Sequence, residues 1–377
     1  MRAFVFTDKA LARRAGQFVW LSIDTEKQGN GPFLTKFPVE ALPSFYVLDP
    51  ATESVALKWV GGASVRQVEK ILDDGRQSVR GGEKGVEEIL ARADRLYGEG
   101  KHADAARAYR DALSRAPGNW PRYGRAVESL LFSLQMTHDQ KTCAETARAA
   151  FPKLKRTSSA ANVAATGLDC ALNLKPEDPE RATLVGALTA DSREIVSARR
   201  PDIAADDISS VYENLAAERE AAKDEEGRKK VLSARAAFLE AEAARAKNPD
   251  ARAVFDSHRL STYLALNEPA RAIPMLEASE RDLPDDYNPP ARLALALNAL
   301  KKYDEALAAS DRALARAYGP RKIGILRTRA EIYAAKGDAA AARKTMEETV
   351  RYAESLPAGQ RSEKTVASLK KKLETMQ

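Results

Sequence analysis

The residues able to do redox or metal chemistry in this chain are few. Cys143 and Cys170 are its two cysteines, and His102, His138 and His258 its three histidines. A dithiol catalyst needs a thiolate of lowered pKa, normally in Cys-x-x-Cys at a helix start, whereas these cysteines are 27 residues apart. The histidines fall on different expected turns and helices, with no cysteine or carboxylate at ligand spacing, so no metal centre and no cofactor is read. Glu218-Arg219-Glu220 and Asp224-Glu225-Glu226 supply neighbouring carboxylates, but such runs at helix ends read as solvated faces. Gly81-Gly82-Glu83-Lys84-Gly85 lacks the preceding strand and the Lys-Ser/Thr ending of a phosphate-cradling loop. No catalytic residue is assigned, and the chain as it stands is not read as an enzyme.

Two expected helices, 141–154 and 158–174, position the cysteines and meet near Arg156-Thr157. Residues equidistant from the turn of an antiparallel hairpin face each other at one level, and Cys143 and Cys170 are equally far from it. Two separate buried thiols are the preferred reading, because cysteine is among the residues most often fully buried. A disulfide comes next, and a catalytic dithiol last.

A chain of 377 residues exceeds one ordinary domain. Charged residues at 30% and aromatics at 6%, with alanine abundant beyond the first quarter, fit surface-rich helices better than a large sheet. The net charge of +6 is spread among interspersed acids and bases, so the concentrated basic patch of a nucleic-acid binder is missing. No apolar run reaches the roughly eighteen residues of a membrane span. The first twenty residues also lack a signal peptide's apolar core and cleavage site. A cytoplasmic location is expected for the chain as it stands, and a periplasmic or secreted one if a longer N-terminus exists.

Phe18-Val19-Trp20-Leu21-Ser22-Ile23-Asp24 is almost continuously apolar and predicts a strand buried on both faces. A short helix follows, then Pro43 leads into a second buried strand ending near Asp49, and residues 54–60 form a third that ends at Gly61-Gly62. Ser64 and Gln67 make a capping box for a helix carrying Val65, Val68, Ile71 and Leu72. This order resembles the C-terminal two-thirds of the thioredoxin family, with Leu42-Pro43 its best marker. The resemblance implies a cis peptide at Pro43 and an α/β N-terminal module over residues 1–75 that lacks its first strand and its Cys-x-x-Cys. It further implies that Thr7-Asp8 and Phe18-Val19 match the region just after that motif. Met1 is then expected to be an internal methionine, with a cysteine motif upstream; on that alternative the protein is a thiol-disulfide oxidoreductase or redox chaperone.

Residues 76–85 are polar, glycine-rich and aperiodic, and are read as a linker. Beyond them the pattern is repeated helix. Ala93, Leu96, Gly100, Ala105, Tyr109, Ala112 and Pro117 put small residues where two antiparallel helices cross, a glycine at the turn and a proline at the stop. These positions resemble the tetratricopeptide (TPR) pattern, which returns at 287–320 and 323–356 after the first match at 86–119. Arg92 stands where the family has a large apolar residue, which suits a first repeat. A weaker hairpin runs from Ser261 through Glu268-Pro269 to Leu276. Helical periodicity without repeat signatures covers 122–136, 141–154, 158–174, 182–198, 206–223 and 226–247. One all-α, TPR-like solenoid over 86–377 is expected, so that each helix pair buries its apolar face on its neighbours.

The TPR resemblance implies a groove lined by each repeat's first helix: Glu87, Leu90, Asp94 and Tyr97, then Asn288, Leu295 and Asn298, then Arg327 and Glu331. This mixed polar set implies a protein partner, a peptide or helix held by distributed hydrogen bonds. The expected function is a non-enzymatic protein–protein interaction scaffold with the thioredoxin-like part as a second docking module. No oligomeric state is assigned.

Overall fold

The computed structural model describes residues 5–81 and 84–376. Expectations resting on residues 1–4, including the reading of Met1, lie outside the described residues, as do Gly82 and Glu83 of the expected linker. The chain divides into two compact units, Met1–Phe18 with Val39–Arg235, and Val19–Pro38 with Ala236–Gln377. That division falls at Arg235 and not at the expected linker.

In the first unit, α1 (Lys9–Ala12) precedes a hairpin of β1 (Ser44–Leu48) and β2 (Val55–Val60). The strands run antiparallel, with Phe45 opposite Trp59 and Val47 opposite Leu57. The Leu42–Pro43 peptide is cis, as expected. A helix packs on the hairpin, and Val5, Leu11, Val47, Leu57, Trp59, Val68, Ile71 and Leu72 share one core. Its start is the expected capping box: Gln67 N–H donates to Ser64 Oγ, and Ser64 N–H to Gln67 Oε1. This helix is α3 (Val65–Arg80). Residues 76–80, read as linker, are thus its last turn. Gly75 lies inside it because a Cβ there would stand 2.7 Å from the Val47 side chain.

The expected strand at Phe18–Asp24 is not formed, and among the described residues the sheet has two strands only. Val19 is 89% and Leu21 72% exposed. A thioredoxin-like sheet is therefore not seen; what the structure has is a β-hairpin with a helix on it. A continuous apolar run does not by itself distinguish a buried strand from an extended segment that leaves the sheet. Here the following residues, including α2 (Gly31–Lys36), join the second unit.

The rest of the first unit is helical hairpins: α4 (Val86–Gly98) with α5 (His102–Arg115), α6 (Tyr123–Met136) with α7 (Gln140–Leu154), and α8 (Ala160–Leu172) with α9 (Arg181–Val196), followed by α10 (Ala205–Ala221) and the part of α11 (Glu225–Ala244) up to Arg235. The helices expected between 122 and 247 all form, with ends within three residues of their predicted places. α4, α6, α8 and α10 adjoin in sequence to make one layer, while α7 and α9 adjoin in a second, the arrangement of a stacked-hairpin solenoid. Cys143 and Cys170 are joined in a disulfide with Cα atoms 6.0 Å apart, which corrects the preferred reading of two separate thiols. The hairpin spacing placed them at one level but could not give the distance between helices. That distance is set by Gly167, whose added Cβ would lie 2.4 Å from that of Ala147.

In the second unit, α12 (Pro249–Ala253) leads to the hairpins α13 (Asp256–Ala265) with α14 (Ala272–Asp282), α15 (Asn288–Ala299) with α16 (Tyr303–Arg316), and α17 (Arg321–Lys336) with α18 (Ala339–Ser355), and α19 (Glu363–Glu374) closes the row. Gly337, with φ +91°, caps α17 in the left-handed region that favours glycine. Leu260, Tyr263, Leu276, Leu293, Leu297 and Ile332 belong to one core, and Met346, Val350, Val366 and Leu369 to another.

Candidate interaction surface

In the first repeat, the sequence places groove residues on one face of α4, and the structure buries most of that face. Leu90 and Tyr97 are each 2% exposed and Asp94 is fully buried, so these three are corrected from partner-binding to core positions. The reason is the hairpin next to it: β2 lies against α4 so closely that a Cβ on Gly98 would be 2.4 Å from Val55. A chain segment before the first repeat thus covers the face that a family pattern leaves open.

Buried charges hold this region together. Asp94 Oδ1 accepts from the Tyr109 hydroxyl at 2.7 Å and from Arg125 Nη1 at 2.8 Å. Asp74, in the interior of α3, accepts from Arg122 Nε at 2.7 Å and Arg125 Nε at 3.0 Å. Burial alone would lower the Arg125 guanidinium, but Asp94 and Asp74 outweigh it and push it above its ordinary value. Glu87, half-buried, accepts from Trp120 Nε1 and Arg122, so it too serves the fold.

A second cluster surrounds Lys58, which is fully buried on β2. Its ammonium pairs with Glu40 and lies 5.4 Å from the ring centres of both Tyr46 and Tyr97. Burial would raise the Glu40 carboxyl, but His102 and Lys58 prevail and hold it down at about 2. Its contribution to stability is therefore present above the ordinary carboxylate range and lost as pH falls toward 2.

Sequence reasoning missed a row of polar side chains on the first helices of the middle hairpins. Asn162 Nδ2 on α8 donates to Glu128 Oε2 on α6 at 2.7 Å, and Thr166 Oγ1 donates to Asn162 Oδ1 at 3.1 Å. Gln135 Nε2 donates to Asp169 Oδ2 at 2.9 Å, and Asn214 Nδ2 on α10 to the Ala165 carbonyl at 2.7 Å. Asn162, Thr166, Asp169, Gln135 and the nearby Phe132 are all half-buried. One signal was available: the four-residue spacing of Asn162 and Thr166 puts both on one stripe of an otherwise Ala-rich helix.

Glu128 is the group in this row that titrates near neutrality. Burial pushes its carboxyl up, Ser159 and Asn162 partly restrain it, and it settles at about 7. A carboxyl raised in the folded state adds stability fully below its unfolded pKa and loses it as pH rises through the folded one. From about pH 4.5 to 7.5 this group should therefore remove about 3 kcal/mol, and Glu128→Gln should abolish that slope. Urea midpoints of both proteins across this range check it; parallel pH profiles would contradict it.

In the second unit the predicted positions are open to differing degrees. Leu295 is 38% exposed, and Arg327 and Glu331 are exposed, with Lys372 Nζ 2.6 Å from Glu331 Oε1. Asn288 and Asn298 are half-buried, Asn288 Nδ2 donating to Asp286 Oδ1 at 2.8 Å. Among the described residues no group of three His, Cys, Asp or Glu side chains could hold a metal ion, and no helix is long and apolar enough to cross a membrane.

No family model matches the chain, and no curated protein does. Solved structures that align with it include a tetratricopeptide repeat protein from Parabacteroides merdae, 10% identical over 77% of this chain and 99% of that one, with a TM-score of 0.46. The TPR2AB domain of yeast Sti1 in its complex with pHSP90 is 14% identical over 77% and 98%, TM-score 0.29. The assembly chaperone of RpL4, Acl4, is 13% identical over 77% and 96%, TM-score 0.38. All three are distant, and the assignment of paired-helix repeats rests on the chain's own hairpins.

Proposed function

We propose that this protein is a non-enzymatic scaffold that holds protein partners along the first helices of its repeats. The observation that carries this reading is the polar row on α6 and α8: Gln135, Asn162, Thr166 and Asp169 keep part of their surface open while hydrogen bonds among them fix their orientation. Preset amides and carboxylates beside an aromatic, Phe132, suit a peptide bound by distributed hydrogen bonds with little ordering cost. In the second unit Leu295, Arg327 and Glu331 offer the corresponding open positions.

The β1–β2 hairpin with α3 is proposed as a second docking module without redox chemistry. Both cysteines are fully buried and joined to each other, which disfavours a thiol role for them. The disulfide supports work in an oxidising compartment, such as a periplasm or a secreted setting, over the cytoplasmic alternative.

Photo-crosslinking tests the scaffold reading. A photoreactive residue at Thr166 of the full chain, on the first-helix layer, should give a discrete protein adduct, and one at Arg148 on α7, in the other layer, should not.

A further inference from the structure

The second unit includes a stretch from the N-terminal region, Val19–Pro38, and four residues of it are held by the repeats in a specific register. Tyr318 donates its hydroxyl to Asp24 Oδ2 at 2.6 Å. Tyr287 donates to both oxygens of Glu26 at 2.8 and 2.9 Å, and Arg321 Nε reaches Glu26 Oε1 at 2.8 Å. Gln360 Nε2 donates to the carbonyls of Thr25 at 2.9 Å and Lys27 at 3.0 Å. The repeats thus contact two acidic side chains and two carbonyls, each pair two residues apart, of a turn that closes on itself: Lys27 N–H donates to the Asp24 carbonyl at 3.3 Å, Glu26 N–H to Asp24 Oδ1 at 2.9 Å and Asn30 Nδ2 to the Asp24 carbonyl at 2.7 Å.

The receiving surface is shaped for a backbone as well as for charge. Gly319 has φ +56°, and a Cβ on it would stand 2.0 Å from the Glu26 carbonyl oxygen. Gly359 has φ +88°, and its Cβ would be 2.5 Å from the Gly31 carbonyl oxygen. Both are turn glycines between consecutive helices, Gly319 before α17 and Gly359 before α19. Tyr352 donates its hydroxyl to the Gly319 carbonyl at 3.2 Å and fixes that turn. Arg321 opens α17 and Tyr287 directly precedes α15, so the Glu26 carboxylate also lies at helix N-termini, where negative charge is favoured. Burial would raise the Asp24 carboxyl, but the Tyr318 hydroxyl, the Glu26 and Lys27 backbone N–H groups and the Lys27 charge together outweigh it and hold it down, consistent with recognition of the ionised form.

We propose that Tyr287, Tyr318, Gly319, Arg321 and Gln360 form a recognition site for an acidic turn of the type Asp-x-Glu in a partner protein, a site that Asp24-Thr25-Glu26 fills from within the chain. This deepens the scaffold reading and rests on it. None of the contacts requires that the segment be covalently connected, so a partner peptide with the same spacing can make all of them. A tethered segment competes at an effective concentration on the order of millimolar, so the site is masked until a partner displaces it.

The test uses a fluorescent peptide of residues 22–31, Ser-Ile-Asp-Thr-Glu-Lys-Gln-Gly-Asn-Gly, and the full chain carrying Asp24→Lys with Glu26→Lys. The double variant should bind the peptide at least roughly tenfold more tightly than the wild type does. Adding Arg321→Ala with Gly319→Ala to that variant should abolish binding, and a peptide with lysine at both acidic positions should not bind. No binding to the variant, or equal binding of the charge-reversed peptide, overturns the proposal. If the double variant does not fold, hydrogen exchange of the wild-type chain gives the answer. Excess acidic peptide should speed exchange at residues 24–30, and unchanged exchange overturns the proposal. A negative peptide result beside a Thr166 adduct sinks this site and leaves the scaffold reading standing.

Discussion

Asp94→Ala is expected to destabilise the first unit by about 3–5 kcal/mol, the usual cost of leaving one partner of a buried ion pair uncompensated. Asp94 is fully buried, and its loss strips the Tyr109 hydroxyl of its acceptor and leaves the buried Arg125 guanidinium with Asp74 alone. The penalty comes from the stranded charge more than from the lost attraction, so a second change should relieve it. Asp94→Leu combined with Arg125→Met, which removes both charges and keeps apolar volume, should recover most of the loss. Hydrogen exchange of the α4–α6 amides reads this part of the chain separately. Equal destabilisation by the single and double variants would mean that volume, not charge, holds the junction.

Cys143→Ser with Cys170→Ser is expected to cost about 3.5 kcal/mol on the chain-entropy model for a loop of 27 residues. Both sulfurs are fully buried between α7 and α8, so two hydroxyls would replace them in an apolar setting and add to the loss. The disulfide joins the two helices about one turn from where Gly167 meets Ala147. Its effect should therefore concentrate in hydrogen exchange of α7 and α8. A thermal midpoint unchanged by reduction would contradict this, as would loosening spread evenly over the chain.

Much of the architecture was legible because helical periodicity is local. The helices of the middle region were placed to within a few residues although no repeat signature marks them, since alanine-rich amphipathic stripes declare a helix without declaring its partner. The capping box at Ser64 is legible for the same reason, whereas the cis peptide at Pro43 followed from the family resemblance alone. The errors came from what lies next to a residue in space. Leu90, Asp94 and Tyr97 carry the spacing of an open face, but all three are buried: Lys58 on β2 sits over Tyr97, and Asp94 is taken up by Tyr109 and Arg125. Phe18–Asp24 has the apolarity of a buried strand, yet Asp24 at its end and Glu26 just beyond it find tyrosines and an arginine more than 260 residues away. The polar row of Glu128, Asn162 and Thr166 was missed because its members become neighbours only when successive hairpins stack. Lys58, on a strand otherwise read as apolar, gave no hint that Glu40 and two tyrosine rings would receive it.

The central proposal is that the first-helix layer holds a protein partner, and site-specific photo-crosslinking from Thr166 in the full chain, in an extract of the organism that makes it, tests it most directly. The predicted result is one or a few discrete adducts from Thr166, lost when Asn162 and Asp169 are replaced by arginine and absent from the Arg148 position. Adducts of equal yield from both positions, or none from Thr166 while a probe at Lys84 captures the same partner, would contradict it.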